Sequence, residues 1–180
     1  KIVAARRRYL AQLLPRFEDA FARIAHSGVR GTLSYRTDEA LVEAGDVVAT
    51  LKEGLHGALT RARRIDLARK TSTVGPHTDD LAFLIDDKPA RQFGSQGQVR
   101  SLVLAFRISQ ILDSYDKLKH YPVLLLDDVS SELDARRNAY LFEFLREITC
   151  QVFITTTRPE LIAVGENRQD FQVVRGVISP

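Results

Sequence analysis

The chain has 180 residues, 44% hydrophobic and 27% charged, with a formal net charge of +3. This size and balance suit one soluble domain, or one domain with an appendage, and the mild basicity permits nucleic-acid contact without requiring it. A single cysteine, Cys150, excludes a disulfide framework and a cysteine-built metal site, and no apolar run reaches the length of a membrane span.

In chain order, Leu10, Leu13, Leu14, Phe17, Phe21 and Ile24 recur at helical spacing. They predict a long helix that ends near Ala25, with a kink at Pro15. Arg6, Arg7 and Arg8 form a basic cluster near its start. Val29, Leu33 and Tyr35 alternate and predict a strand. Glu39 to Arg69 reads as a second helical region, weakened by Gly45, Gly54 and Gly57. Its end is basic, with Arg61, Arg63, Arg64, Arg69 and Lys70. Such charge suits a solvated helix C-terminus, and it also suits a patch that holds DNA phosphates.

The texture changes after Lys70, where we place the domain boundary: a helical arm over 1–70 and a second domain over 71–180. Thr71–Val74 and Leu81–Ile85 predict short strands around the turn Gly75-Pro76-His77, and Asp86-Asp87 marks another turn. Val99 to Leu118 predicts a helix that is apolar all round and hence largely buried. Val123 to Leu126 predicts a short buried strand that ends in Asp127 and Asp128. A helix over Ala135–Ile148 and a strand over Gln151–Thr156 follow. Strand, helix, strand in this order is a parallel βαβ unit. Cys150, beside this apolar strand, reads as a buried structural thiol. A short helix over Pro159–Val164 and a strand over Phe171–Arg175 complete the α/β pattern.

Two constellations carry chemistry. Open α/β sheets bind ligands at the carboxyl ends of their strands, which is where Asp127 and Asp128 fall. Two adjacent carboxylates after an apolar strand are costly unless a cation or a donor network compensates. Mg²⁺ held by one carboxylate and by phosphate oxygens would do so, and the second carboxylate could orient or deprotonate water. A plain alternative is that the pair caps the following turn and helix. The second constellation is Gly94-Ser-Gln-Gly-Gln98, just before a helix. Its two glycines, with Ser95, Gln96 and Gln98, suit an anion site. Taken alone, the pentapeptide matches any serine-capped helix.

Taken together, Gly94–Gln98, the strand ending in Asp127-Asp128, and Ser131-Glu-Leu-Asp134 resemble the signature motif, Walker B strand and D-loop of ABC-type ATPases. Within that superfamily the chain resembles the RecF family. Gly75-Pro-His-Thr-Asp-Asp-Leu81, Phe93–Arg100, Leu126–Asp134 and Gln151–Thr156 carry the likeness in order. The likeness is strong from about Thr71 onward. Before that it is one of pattern only, to the helical arm inserted in a RecF head.

The resemblance implies an ABC-type P-loop ATPase head: its signature and Walker B lobe, built on a parallel sheet, with part of a helical arm. It implies ATP sandwiched between the two heads of a homodimer. Asp127 would bind Mg²⁺. Asp128 would polarise water, where most ABC ATPases have Glu. Ser95, Gln96, Gly97 and Gln98 would face the triphosphate held by the opposite subunit, and Ser131 and Asp134 would cross the dimer interface. Thr156 would be a further nucleotide-site residue, near the place of a switch histidine, whose histidine role is missing. Thr78 replaces the Arg of the family's Gly-Pro-His motif, and His77 reads as a structural, buried histidine.

The implied function is DNA binding at single-strand/double-strand gaps in recombinational repair and replication. RecO/RecR-like and RecA-like proteins would be the partners, ATP turnover would be slow, and the compartment would be the cytoplasm. Two other readings stay open: an SMC/ABC-type ATPase outside DNA repair, and a non-enzymatic α/β interaction module. No Gly-x-x-x-x-Gly-Lys-Ser/Thr phosphate loop occurs in the sequence. With its start at Lys1, the chain reads as a C-terminal fragment, inactive alone, that leaves an apolar edge strand open or fills it by association.

Overall fold

In the computed structural model the described residues are 1–25, 28–128, 133–165 and 167–179. The chain divides into two units, Lys1–Asp113 and Ser114–Pro180.

The first unit is built on helix α1 (Ile2–Ala25), which continues without interruption through Pro15. Its apolar stripe buries Leu13, Phe17, Ala20, Phe21 and Ile24, the face that the spacing predicted. Phe17 is fully buried and sits at the centre of an aromatic cluster. Its ring lies 6.3 Å from Phe21, 6.1 Å from Phe83 and 6.5 Å from Phe106. Helix α1 packs on strand β1 (Gly31–Arg36). At the start of β1 a Cβ on Gly31 would lie 2.5 Å from the Phe21 ring, so only glycine lets helix and strand meet there.

Strand β1 pairs antiparallel with β2 (Asp80–Ile85), from Gly31 opposite Ile85 to Arg36 opposite Asp80. The ladder thus joins segments on either side of the predicted boundary at Lys70. A tight turn at Asp86 and Asp87, with φ of 46° and 62°, leads to β3 (Lys88–Pro89). Two successive left-handed residues make the kind of hairpin turn that matches strand twist.

The predicted helical stretch from Glu39 is two helices, α2 (Glu39–Glu43) and α3 (Val48–Arg69). The break contains Gly45, at φ +63°. Asp38 caps α2 through the Ala40 N–H. Thr71–Val74 forms no strand, contrary to the expectation. Lys70 ends α3 in the left-handed conformation, and Thr73 gives its N–H and its hydroxyl to the Asp66 carboxylate at 2.9 and 2.7 Å. The segment is folded back on its own helix. Helices α4 (Ala90–Phe93) and α5 (Gln96–Leu118) follow. Helix α5 buries Ser101, Leu102, Leu104, Ala105, Ile108, Ser109 and Asp113. Val103 is exposed, so α5 is less enclosed than its all-round apolarity predicts.

In the second unit β4 (Leu124–Asp127) and β5 (Val152–Thr155) run parallel, with Leu124 opposite Val152 and Asp127 opposite Thr155. Helix α6 (Ala135–Glu147) lies between them in sequence and buries Leu141, Phe142, Phe144 and Leu145. This is the expected strand, helix, strand unit. The strand expected to be buried is so only in part: Leu124 is buried, but Leu125 is 77% exposed, as is its neighbour Phe153 at 54%. Among the described residues β5 pairs with β4 alone. Cys150 is half-buried, and burial pushes its thiol pKa up.

The predicted helix after Pro159 is a single 3-10 turn, Pro159–Leu161. The predicted last strand is the first arm of a hairpin, β6 (Gln172–Val174) and β7 (Val177–Ser179). Among the described residues no helix is long and apolar enough to cross a membrane.

Candidate functional site

The acidic end of β4 is tied to the end of β5. Asp127 and Thr155 are register partners, and the Thr155 hydroxyl donates to Asp127 Oδ1. The Asp128 N–H bonds Thr155 twice, to its carbonyl at 3.0 Å and its hydroxyl at 3.2 Å. Asp128 has φ +46°, a left-handed conformation that Asp tolerates better than most residues. The chain therefore turns sharply after Asp127, whose side chain stays exposed. Among the described residues neither acid is the N-cap of α6. That role belongs to Asp134, which accepts the Arg137 N–H at 2.9 Å and pairs with the Arg137 guanidinium.

Sequence reasoning missed Thr155. The two apolar runs, Val123–Leu126 and Val152–Ile154, differ in length, so the register that sets Thr155 opposite Asp127 could not be read from them. Thr156, just past β5, accepts the Arg158 N–H on its hydroxyl at 3.0 Å. Ser131 lies outside the described residues.

Among the described residues no three His, Cys, Asp or Glu side chains gather as a metal cluster. A cation at Asp127 would therefore take most of its ligands from phosphate and water. That habit fits Mg²⁺, which keeps several waters and binds through one or two carboxylates. The hydrogen bond from Thr155 occupies Asp127 Oδ1, so the carboxylate is held in one orientation with its second oxygen left for the ion.

In the first unit, Ser95 and Gln98 form a reciprocal capping box at the start of α5. The Ser95 N–H donates to Gln98 Oε1 at 2.9 Å, and the Gln98 N–H donates to Ser95 Oγ at 3.2 Å. Both side chains thus spend acceptor capacity on the backbone. The Ser95 hydroxyl hydrogen and the Gln98 amide NH₂ remain as donors. Gln96 and Gly97, in the first turn, have no intrahelical acceptor for their N–H groups. The turn therefore presents donors, as an anion requires. Gly94 has φ −78°, so backbone freedom is not its purpose. A Cβ there would lie 2.7 Å from the Ala90 carbonyl oxygen, and α4 could not turn so closely into α5.

The Gly-Pro-His loop is fastened from two elements. Arg6 on α1 donates to the Pro76 carbonyl at 2.5 Å and to the Tyr35 hydroxyl at 3.3 Å. Tyr35 on β1 donates to Asp79. Burial, and then the bond to Asp79, raise the Tyr35 pKa. His77 is exposed rather than buried, but its Nε2 lies 3.1 Å from the Ser72 carbonyl, in keeping with a structural role. Thr78 donates its hydroxyl to the Gly75 carbonyl at 2.8 Å, so it closes the turn locally.

No family model matches the sequence. The chain is 40% identical over 174 residues to the DNA replication and repair protein RecF of Syntrophotalea carbinolica, covering 96% of this chain and 46% of the relative. It is 40% identical over 187 residues to the RecF of Anaeromyxobacter sp. (strain K), covering 100% and 49%. Against the RecF of Myxococcus xanthus it is 38% identical over 167 residues, covering 90% and 43%. Two solved structures of the recombination mediator protein RecF in the RecFOR pathway match, each at 28% identity. The RecF-ATPrS structure superposes with a TM-score of 0.77 over 98% of this chain and 46% of that one. The RecF-ATP structure gives 0.76 over 99% and 46%. The chain spans about half the length of the curated relatives it matches.

Proposed function

Because this chain belongs to the RecF family, we propose that it supplies the signature and Walker B lobe of an ATP-dependent DNA-binding protein of recombinational repair and replication. The complete protein dimerises around ATP and Mg²⁺ at single-strand/double-strand gaps. It works with RecO/RecR-like proteins to load a RecA-like protein, and its slow ATP turnover times release. The observation that carries this reading is the end of β4. Asp127 is exposed at the carboxyl end of a parallel strand pair and oriented by Thr155, while helix capping falls to Asp134.

When bound, Mg²⁺ supplies neutralisation of the phosphate charge. Asp127 holds the ion. Asp128, on the sharp turn behind it, accepts a hydrogen bond from the attacking water and orients it. The donors at Ser95, Gln96, Gly97 and Gln98 receive phosphate oxygens of the nucleotide carried by the opposite subunit. Ser131 and Asp134 lie on the stretch that meets that subunit.

The test uses the complete RecF protein that contains this segment. Asp127→Asn should weaken Mg²⁺-dependent binding of a fluorescent ATP analogue by about ten-fold or more. Asp128→Asn should keep binding and lower turnover by roughly 10²–10⁴-fold, the usual worth of a positioned base. Unchanged binding and turnover in both variants would return the acids to a structural role and favour the interaction-module reading.

A further inference from the structure

Helix α3 ends in the run Arg61-Ala-Arg-Arg-Ile-Asp-Leu-Ala-Arg-Lys70, five cations against one acid. All five are exposed. Arg61 lies 3.8 Å from Asp38. Arg63, Arg64, Arg69 and Lys70 have no ion-pair partner among the described residues. The five cations are spread round the helix, and Arg61, Arg64 and Arg69 lie off the groove. Two of them, Arg63 and Lys70, share one face with His56, Thr60 and Leu67, at intervals of four, three, four and three. These residues, with Leu59, Asp66, Thr71 and Ser72, line a surface groove of about 690 Å³. The acid in the groove, Asp66, already accepts two hydrogen bonds from Thr73. The fold that replaces the expected strand at Thr71–Val74 therefore makes the groove and engages its carboxylate.

We propose that this groove seats the sugar-phosphate backbone of duplex DNA. The proposal rests on the reading above and assigns a surface for its DNA partner. Guanidinium, ammonium and hydroxyl groups are the side-chain donors that contact phosphates. Arg63 and Lys70, seven residues apart at about 1.5 Å per residue, stand about 10 Å apart along the axis, roughly three nucleotide steps of one strand. Leu59 and Leu67 supply apolar walls for sugar edges. The groove holds no Phe, Tyr or Trp, so it lacks the stacking platforms that single-strand binders use. Recognition here follows backbone charge and shape, without base readout.

The test is fluorescence anisotropy of the complete RecF protein that contains this segment, with a labelled mixed-sequence duplex of about 25 bp, at several salt concentrations and with a saturating non-hydrolysable ATP analogue. The double variant Arg63→Gln/Lys70→Gln should bind about ten-fold more weakly at about 0.1 M salt. Its log K against log salt should be shallower by about 2, roughly one for each phosphate no longer neutralised. Arg23→Gln on α1, whose partner is Asp19, should match the unaltered protein, and melting curves should coincide because all three side chains are exposed. A double variant with unchanged affinity and salt slope would overturn the proposal, as would poly-glutamate competing as well as unlabelled duplex, which would point to an acidic protein. The double variant should bind the fluorescent ATP analogue as the unaltered protein does, so either failure is distinguishable from a failure of the Asp127 and Asp128 test.

Discussion

At the residue scale, Thr155 decides how the acids are presented. Its hydroxyl both donates to Asp127 and accepts from the Asp128 N–H, so one atom holds the two carboxyl-bearing residues in register. Thr155→Val should lower Mg²⁺-dependent nucleotide affinity of the complete protein several-fold, while Thr155→Ser restores it; equal behaviour of Val and Ser would show that the hydroxyl is idle. Tyr35 makes a pH prediction. Its pKa is raised in the fold by burial and by Asp79, so the neutral phenol is the form the fold favours. Stability from this group is complete below the unfolded value of about 10 and is lost as pH rises through the folded one. Melting temperature should fall above about pH 10, and Tyr35→Phe should flatten that fall. The sequence marked Asp127, Asp128, Ser95 and Gln98 by residue type and spacing. Thr155 and Tyr35 escaped because hydroxyls acquire meaning from partners far away in sequence.

At the element scale, long amphipathic helices were the most legible features. The spacing of Leu13, Phe17, Phe21 and Ile24 named the buried face of α1 before any tertiary neighbour was known. Phe17→Ala should destabilise the first unit by about 3–5 kcal/mol, the usual cost of emptying an aromatic core position, measured by chemical denaturation. Asp134→Ala should cost about 0.5–2 kcal/mol, as for a missing N-cap, read on the second unit. What stayed illegible was short or set by tertiary partners. The segment Thr71–Val74 has β-branched residues suited to a strand, but Asp66 captures Thr73 first. The break between α2 and α3 shows in sequence only as Gly45, one glycine among three, and Gly54 and Gly57 remain helical. Strand β3 has two residues, too few for periodicity to register.

At the scale of the molecule, apolar surface is left open in the second unit. Leu125 and Phe153 are paired neighbours on the exposed face of the parallel sheet. Val173, Val174, Val177 and Ile178 are all exposed on the hairpin of β6 and β7. Patches of this kind usually mark a surface that meets other protein, and the chain spans only about half of its relatives. Leu125→Ser/Phe153→Ser should therefore leave the melting temperature nearly unchanged while reducing hydrophobic-dye binding and self-association. A large loss of stability would show that these side chains are already packed.

The sequence by itself determined the βαβ order of the second unit, the acidic end of its first strand and the turn before α5, because hydrophobic period and motif spacing are local properties. Only the tertiary structure decided that β4 is covered on one face, that Thr155 orients Asp127, and that the end of α3 is one wall of a groove. Those depend on register and on which donor reaches a carboxylate first, and both are settled by interactions between residues distant in the chain.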